Sequence, residues 1–213
     1  MALSKVNFNS MNVTPSASKA IKFNSSNNGL ETGDLGGQLQ LLSTQTASDS
    51  ATIDFTSDID STYKEYQFRF TDIHPQTDGQ NFQFQADTGT NTSYNQTMTT
   101  TFFRAYHYED DSTTGLAYHI PSDLAQSTSF QRLAQSGNGN DECVSGSLHL
   151  FNPSSTTFVK HFIARVGGFH EADYAFDFYT AGYGNTTSAI NAVQFKYDSG
   201  NIDSGVIKLY GIS

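Results

Sequence analysis

The sequence predicts an all-β protein: an antiparallel β-sandwich of the jelly-roll or lectin-like kind, preceded by an extended N-terminal arm. Three observations carry this expectation. The chain has 17 Phe, 11 Tyr and no Trp, and Ser and Thr make up 49 of its 213 residues. Side chains of these types fit a pleated, half-buried surface. Charged residues are only 15% of the chain, against about 25% in ordinary globular domains. Apolar and polar residues alternate in short runs bounded by Gly, Asn, Asp and Pro, which is the pattern of half-buried strands.

The arm comes first. Residues 1–35 are rich in Asn and Ser, with isolated apolar anchors at Val6, Phe8, Val13, Ile21 and Phe23. Residues 1–30 carry +3 from Lys5, Lys19 and Lys22, and the remaining chain carries −13. Such a segment cannot bury a core alone. It reads either as a loosely ordered terminus or as an arm that docks on an acidic neighbour. In the docking reading the contact residues are Lys5, Phe8, Lys19, Ile21, Lys22 and Phe23.

Residues 36–213 form the expected sandwich domain. Gly36-Gly37 breaks the chain, and strands follow at 38–42 and 51–56. In 64–73, Tyr66, Phe68 and Phe70 alternate with Gln67 and Arg69, and His74-Pro75 closes the strand. Asp78-Gly79 is a hairpin-type turn, after which Phe82 and Phe84 alternate with Gln83 and Gln85 in 81–86. A long β-prone stretch covers 97–108. The stretch 123–133 is the one place with a weak helical pattern, and its Ser127-Thr128-Ser129 cluster opposes a helix. Segments 144–151 and 157–166 flank Asn152-Pro153-Ser154-Ser155 and read as a hairpin. Strands at 173–179, 192–197 and 206–210 complete the set. Ten to twelve short strands with regular turns suggest two packed sheets rather than βαβ units.

Several function classes are excluded. No stretch approaches 18 consecutive apolar residues, so no transmembrane helix is expected. The N-terminus lacks the apolar core of a secretory signal. A net charge of −10 opposes a nucleic-acid grip, which needs Lys and Arg to neutralise phosphates. Cys143 is the only cysteine, so it forms no intrachain disulfide and reads as a small buried hydrophobe rather than a reactive thiol.

The search for chemistry finds little. His149 and His161 would be neighbours in a symmetric hairpin, and two histidines with a carboxylate could hold a metal, but a one-residue slip would separate them. Glu171, Asp173 and Asp177 share parity, so a regular strand would place them on one face, as a retaining glycanase needs of paired acids. The Glu-x-Asp-x-Glu pattern of laminarinase-type sandwiches is absent, however, because Ala175 stands where an acid is needed. Glu109-Asp110-Asp111 and Gly139-Asn140-Asp141-Glu142 offer oxygen ligands of the kind Ca²⁺ takes, without EF-hand spacing. No nucleophile elbow or phosphate loop occurs. The residues therefore point to a non-enzymatic protein with no cofactor.

Several stretches resemble virion structural proteins of marine tailed bacteriophages: 59–66 (IDSTYKEY), 73–78 (IHPQTD), 101–107 (TFFRAYH), 148–157 (LHLFNPSSTT), 182–190 (GYGNTTSAI) and 199–212 (SGNIDSGVIKLYGI). The resemblance covers most of residues 36–213. It implies a lectin-like or jelly-roll sandwich displayed on a phage particle, made in the host cytoplasm and assembled with other virion proteins, with a homotrimer as the favoured form. It supplies no catalytic residues. A tail-associated fibre or receptor-binding role would use outward turn residues, namely Tyr94, Asp110, Asp111, Tyr183 and Asn185, against a host-surface glycan. The alternative is a capsid decoration, or cement, protein docking through the arm. A glycan-processing enzyme is the least supported reading.

Overall fold

The computed structural model describes Val13, Thr14, Ser16 and residues 19–33, 39–89 and 93–213. The chain divides into two compact units, one reaching to Leu39 and including Ser213, the other spanning Gln40–Ile212. Lys5 and Phe8 of the expected arm lie outside the described residues.

The first unit holds a small hairpin. Strand β1 (Ala20–Phe23) pairs antiparallel with β2 (Leu30–Gly33), with Phe23 opposite Leu30 and Lys22 opposite Glu31. Asn suits the connecting turn because it tolerates left-handed backbone and bonds its own loop. Asn27 has φ 54°, and the Asn24 side-chain amide donates to Asn28 Oδ1 at 2.9 Å. Ile21, Phe23 and Leu30 are exposed, Phe23 by 71%.

The second unit contains twelve strands among the described residues. They are β3 (Leu39–Ser50), β4 (Ile53–Phe55), β5 (Glu65–Pro75), β6 (Gln80–Thr88), β7 (Met98–Tyr108), β8 (Thr114–Tyr118), β9 (Gln131–Ser136), β10 (Val144–Phe151), β11 (Lys160–His170), β12 (Tyr174–Gly184), β13 (Ile190–Tyr197) and β14 (Ile202–Ile212). An eight-stranded sheet has the order β3-β14-β5-β10-β11-β12-β7-β8, and a four-stranded sheet has the order β4-β13-β6-β9. Every pairing of defined register is antiparallel. The protein is therefore an all-β sandwich, as the alternation predicts.

The two sheets meet through aromatic rings. Phe68 and Phe70 of the large sheet lie 5.2 Å from Phe195 of the small one, edge to face. Phe55, Phe82 and Phe84 surround the same ring. Edge-to-face pairs gain from the ring quadrupole as well as from burial.

Two expectations are corrected. Asp78-Gly79 forms a turn, with Gly79 at φ 66°, but not a hairpin. β5 pairs with β10 and β14, whereas β6 pairs with β13 and β9, so the chain changes sheet there. Phe70 and Phe82 then face each other across the core at 5.3 Å, which buries both aromatic rows. The 123–133 stretch is not helical. A short 3-10 turn lies earlier, at Ile120–Ser122, and β9 starts at Gln131. Between them the chain is extended along the β7 edge, where Ser127 bridges Met98.

Buried polar groups tie this connection down. Gln85 Nε2 donates to the carbonyls of Thr128 and Ser129, and Gln131 Oε1 accepts from the Thr100 hydroxyl at 2.6 Å. Lys160 has no exposed surface. Its ammonium donates to the carbonyls of Ser155, Phe158 and Thr186, and burial pulls its pKa below the usual lysine range. Gly205 sits in a bulge of β14 at φ 122°, where a Cβ would lie 2.6 Å from the Asp72 carbonyl oxygen.

Candidate functional site

The outward face of β11, β12 and β7 carries the candidate site. Side chains alternate across a strand, so on β12 Tyr179, Ala181 and Tyr183 point outward while Phe178 and Thr180 are buried. Ala181 is the small residue in that row, and its partners are Ile163 on β11 and Thr101 on β7. The result is a groove of about 480 Å³ lined by Thr99, Thr101, Phe151, His161, Ile163 and Tyr183 around Ala181. Its size falls in the range of small-ligand sites. Ile163 stays 51% exposed.

The walls are aromatic and the end is polar. His161 and Tyr183 pair at 6.2 Å across the β11–β12 register. Beyond Tyr183, the Asn185 side-chain amide donates to Gln126 Oε1 at 2.9 Å, and Gln126 Nε2 donates to the Thr99 hydroxyl at 2.7 Å. On the other side of Ala181, Tyr179 stacks on Phe103 at 4.7 Å with the rings nearly parallel. Arg165 lies over Tyr179 and makes a bidentate pair with Asp177. That pair holds the Asp177 carboxyl below its ordinary range, Arg165 being the main cause. Among the described residues, no carboxylate or thiol lines the groove. It offers ring faces and hydroxyls, with the His161 imidazole among them.

The structure separates the sequence-predicted residues. Tyr183 and Asn185 come together at one end of β12. Asp110 and Asp111 lie in the β7–β8 turn, beside the other end of β12, where Tyr108 pairs with Tyr174. Ten residues of strand separate the two ends, about 30 Å. Asp110 accepts from the Ser112 N–H, and Asp111 contacts His107 at 3.0 Å, so both carboxylates serve the turn. Tyr94 is corrected as an outward residue. It is only 6% exposed, its N–H donates to Asp87, and burial, together with a bond to Asp54, raises its phenol pKa.

The acids and histidines weighed for chemistry also separate. Glu171 and Asp173 occupy the tight turn before β12, and only Asp177 lies on the strand, so the three do not share a face. His149 faces Ile163, not His161. Its Nδ1 donates to Glu65 at 2.6 Å, and its Nε2 accepts from Gln67. Among the described residues no cluster of three or more His, Cys, Asp or Glu is placed to hold a metal ion. Sequence reasoning missed Phe151, Ile163, Ala181, Thr99 and Thr101. The usable signal was Ala181 between Tyr179 and Tyr183, a gap in an outward aromatic row.

Comparison with known protein families, curated proteins and solved structures finds no match to this chain.

Proposed function

We propose that this chain is a non-enzymatic bacteriophage virion structural protein, a tail-associated fibre or receptor-binding component that holds a host-surface glycan on its outer sheet face. The groove around Ala181 supports this reading, with the Tyr183, His161 and Phe151 rings on its walls and the Asn185 and Gln126 amides at its end. Ring faces suit the CH face of a pyranose, and planar amides suit its hydroxyls. In this reading the chain acts as a homotrimer alongside other virion proteins. The test is the purified chain on a glycan array. A retained glycan whose affinity falls about tenfold in Tyr183→Ala, with the fold intact by circular dichroism, supports it. No retention at any salt concentration, or equal binding by the variant, removes it.

A second reading, capsid decoration through the N-terminal segment, is favoured by one observation. The β1–β2 hairpin exposes Ile21, Phe23 and Leu30 beside Lys22, next to a +3 N-terminal stretch in an acidic chain. Deleting residues 1–33 should then abolish incorporation into particles. Unchanged incorporation removes this reading.

A further inference from the structure

A second site lies on the inner face of the large sheet. The four-stranded sheet covers that face unevenly, with β9 lying against β10, β11 and β12. Toward the β7 edge the inward residues are no longer Phe and Leu. They are Arg104, Tyr106 and Tyr108 on β7 and Tyr174 on β12, and with Thr113 they line a partly open cavity of about 100 Å³. Gly115 on β8 makes room for it, since a Cβ there would lie 2.7 Å from the Tyr106 ring.

No carboxylate lines this cavity, although Glu171 acts on Tyr174 and Arg132 from outside the lining. Among the described residues, Arg104 has no hydrogen-bond or ion-pair partner, and its Nε is shut off from solvent. Its guanidinium lies 5.2 Å from the Tyr106 ring centre. Arg132 reaches in from β9 between Phe102 and Phe178. It donates only to neutral oxygens, those of Ser122 and Gln135, and its Nε is likewise unpartnered. A half-buried cation without an anion is costly. The hydroxyls of Tyr106, Tyr108 and Tyr174 also have no partner among the described residues, although Tyr174 is only 5% exposed. Burial lifts the Tyr174 phenol to about 12, so it remains a donor at neutral pH.

We propose that this cavity binds a small oxyanion, anchored on the Arg104 guanidinium and held by the Tyr106, Tyr108 and Tyr174 hydroxyls. Arginine is suited to carboxylate and phosphate alike, because its fork matches two oxygens of either group. The carboxylate of an acidic sugar and free inorganic phosphate both carry this chemistry. Arg132 adds field rather than contact, and the site is separate from the outward groove.

The test is calorimetric titration of the full chain with sodium glucuronate and with inorganic phosphate, against glucose and sodium chloride at matched ionic strength. Saturable binding of either anion, absent for glucose and chloride, supports the proposal, and the anion that binds identifies the source. Arg104→Gln should weaken binding at least about tenfold. Tyr106→Phe, which keeps the ring, should weaken it several-fold in a folded protein, and Phe158→Ala, at an exposed position outside both sites, should leave it unchanged. No saturable binding of either anion, equal binding of glucose, or full binding by a folded Arg104→Gln overturns the proposal.

Discussion

The Lys160 ammonium lies 2.6 Å from the Ser155 carbonyl oxygen, in a side chain with no exposed surface. The same ammonium accepts no water-facing role and instead joins the 152–158 turn to the loop after β12 through Phe158 and Thr186. Replacing it leaves three carbonyls without their donor. Lys160→Met should cost about 2–3 kcal/mol, read as a lower urea midpoint at unchanged slope. A neutral or stabilising result would mean that desolvating the charge costs as much as its bonds return.

Acid should weaken the fold through His170. Its pKa is held down to about 4 by burial first, then by Arg132 and Arg104, against the opposing pull of Asp78 and of the Glu171 carboxylate 2.9 Å from its Nδ1. The unfolded chain therefore takes up this proton near pH 6.5 while the folded chain still refuses it. The contribution is complete above pH 6.5 and is lost as pH falls toward 4. After allowance for solvent screening it is about 2 kcal/mol. Urea titrations at several pH values measure the slope, and His170→Asn should flatten it in that window. An unchanged slope in the variant would falsify the assignment.

Phe195 is the ring on which the two sheets converge, with Phe55, Phe68, Phe70, Phe82 and Phe84 around it. Phe195→Ala should destabilise the protein by about 3–5 kcal/mol. Phe158 is an exposed aromatic on the 152–158 turn, and Phe158→Ala should change stability by less than about 0.5 kcal/mol. Equal losses for the two would show that the core is not organised around Phe195.

At Gly205 the backbone has φ 122°, and a Cβ would approach both the Asp72 carbonyl and Ile73. Gly205→Ala should cost about 2–3 kcal/mol. Gly89 also has positive φ, at 76°, but among the described residues nothing lies within 4 Å of its Cβ position. Gly89→Ala should cost only about 1 kcal/mol. Thermal unfolding of the pair separates backbone strain from collision, and similar shifts would reject the collision at Gly205.

Much of the fold is legible in particular residues. Tyr66-Phe68-Phe70 and Phe82-Phe84 announce β5 and β6, and the Asn152–Ser155 turn announces the β10–β11 hairpin. Other strands give no such signal. β8 reads Thr-Gly-Leu-Ala-Tyr and is mostly exposed, so no buried row marks it. β9 reads Gln-Arg-Leu-Ala-Gln-Ser and buries Gln131 and Ser136. Its polar side chains are tolerated inside because Thr100, Ser122 and Tyr197 are there to bond them. Thr100 and Tyr197 are distant in sequence. The candidate sites follow the same division. Tyr183 and Asn185 could be nominated from turn-like sequence, but Tyr94, nominated on the same ground, is buried.

The sequence by itself determined that this chain forms strands, because the period of two between aromatic and polar side chains is a property of neighbouring residues. It also determined the acidic balance and its positive N-terminal stretch. Which sheet each strand joins was decided only by the tertiary structure, since Asp78-Gly79 would serve a hairpin or a crossing equally well locally. Packing chose the crossing, because only then do Phe70 and Phe82 bury against each other. The same holds for the groove at Ala181 and the cationic cavity at Arg104. Each is made by side chains from several strands, and no local pattern records which strands will be neighbours.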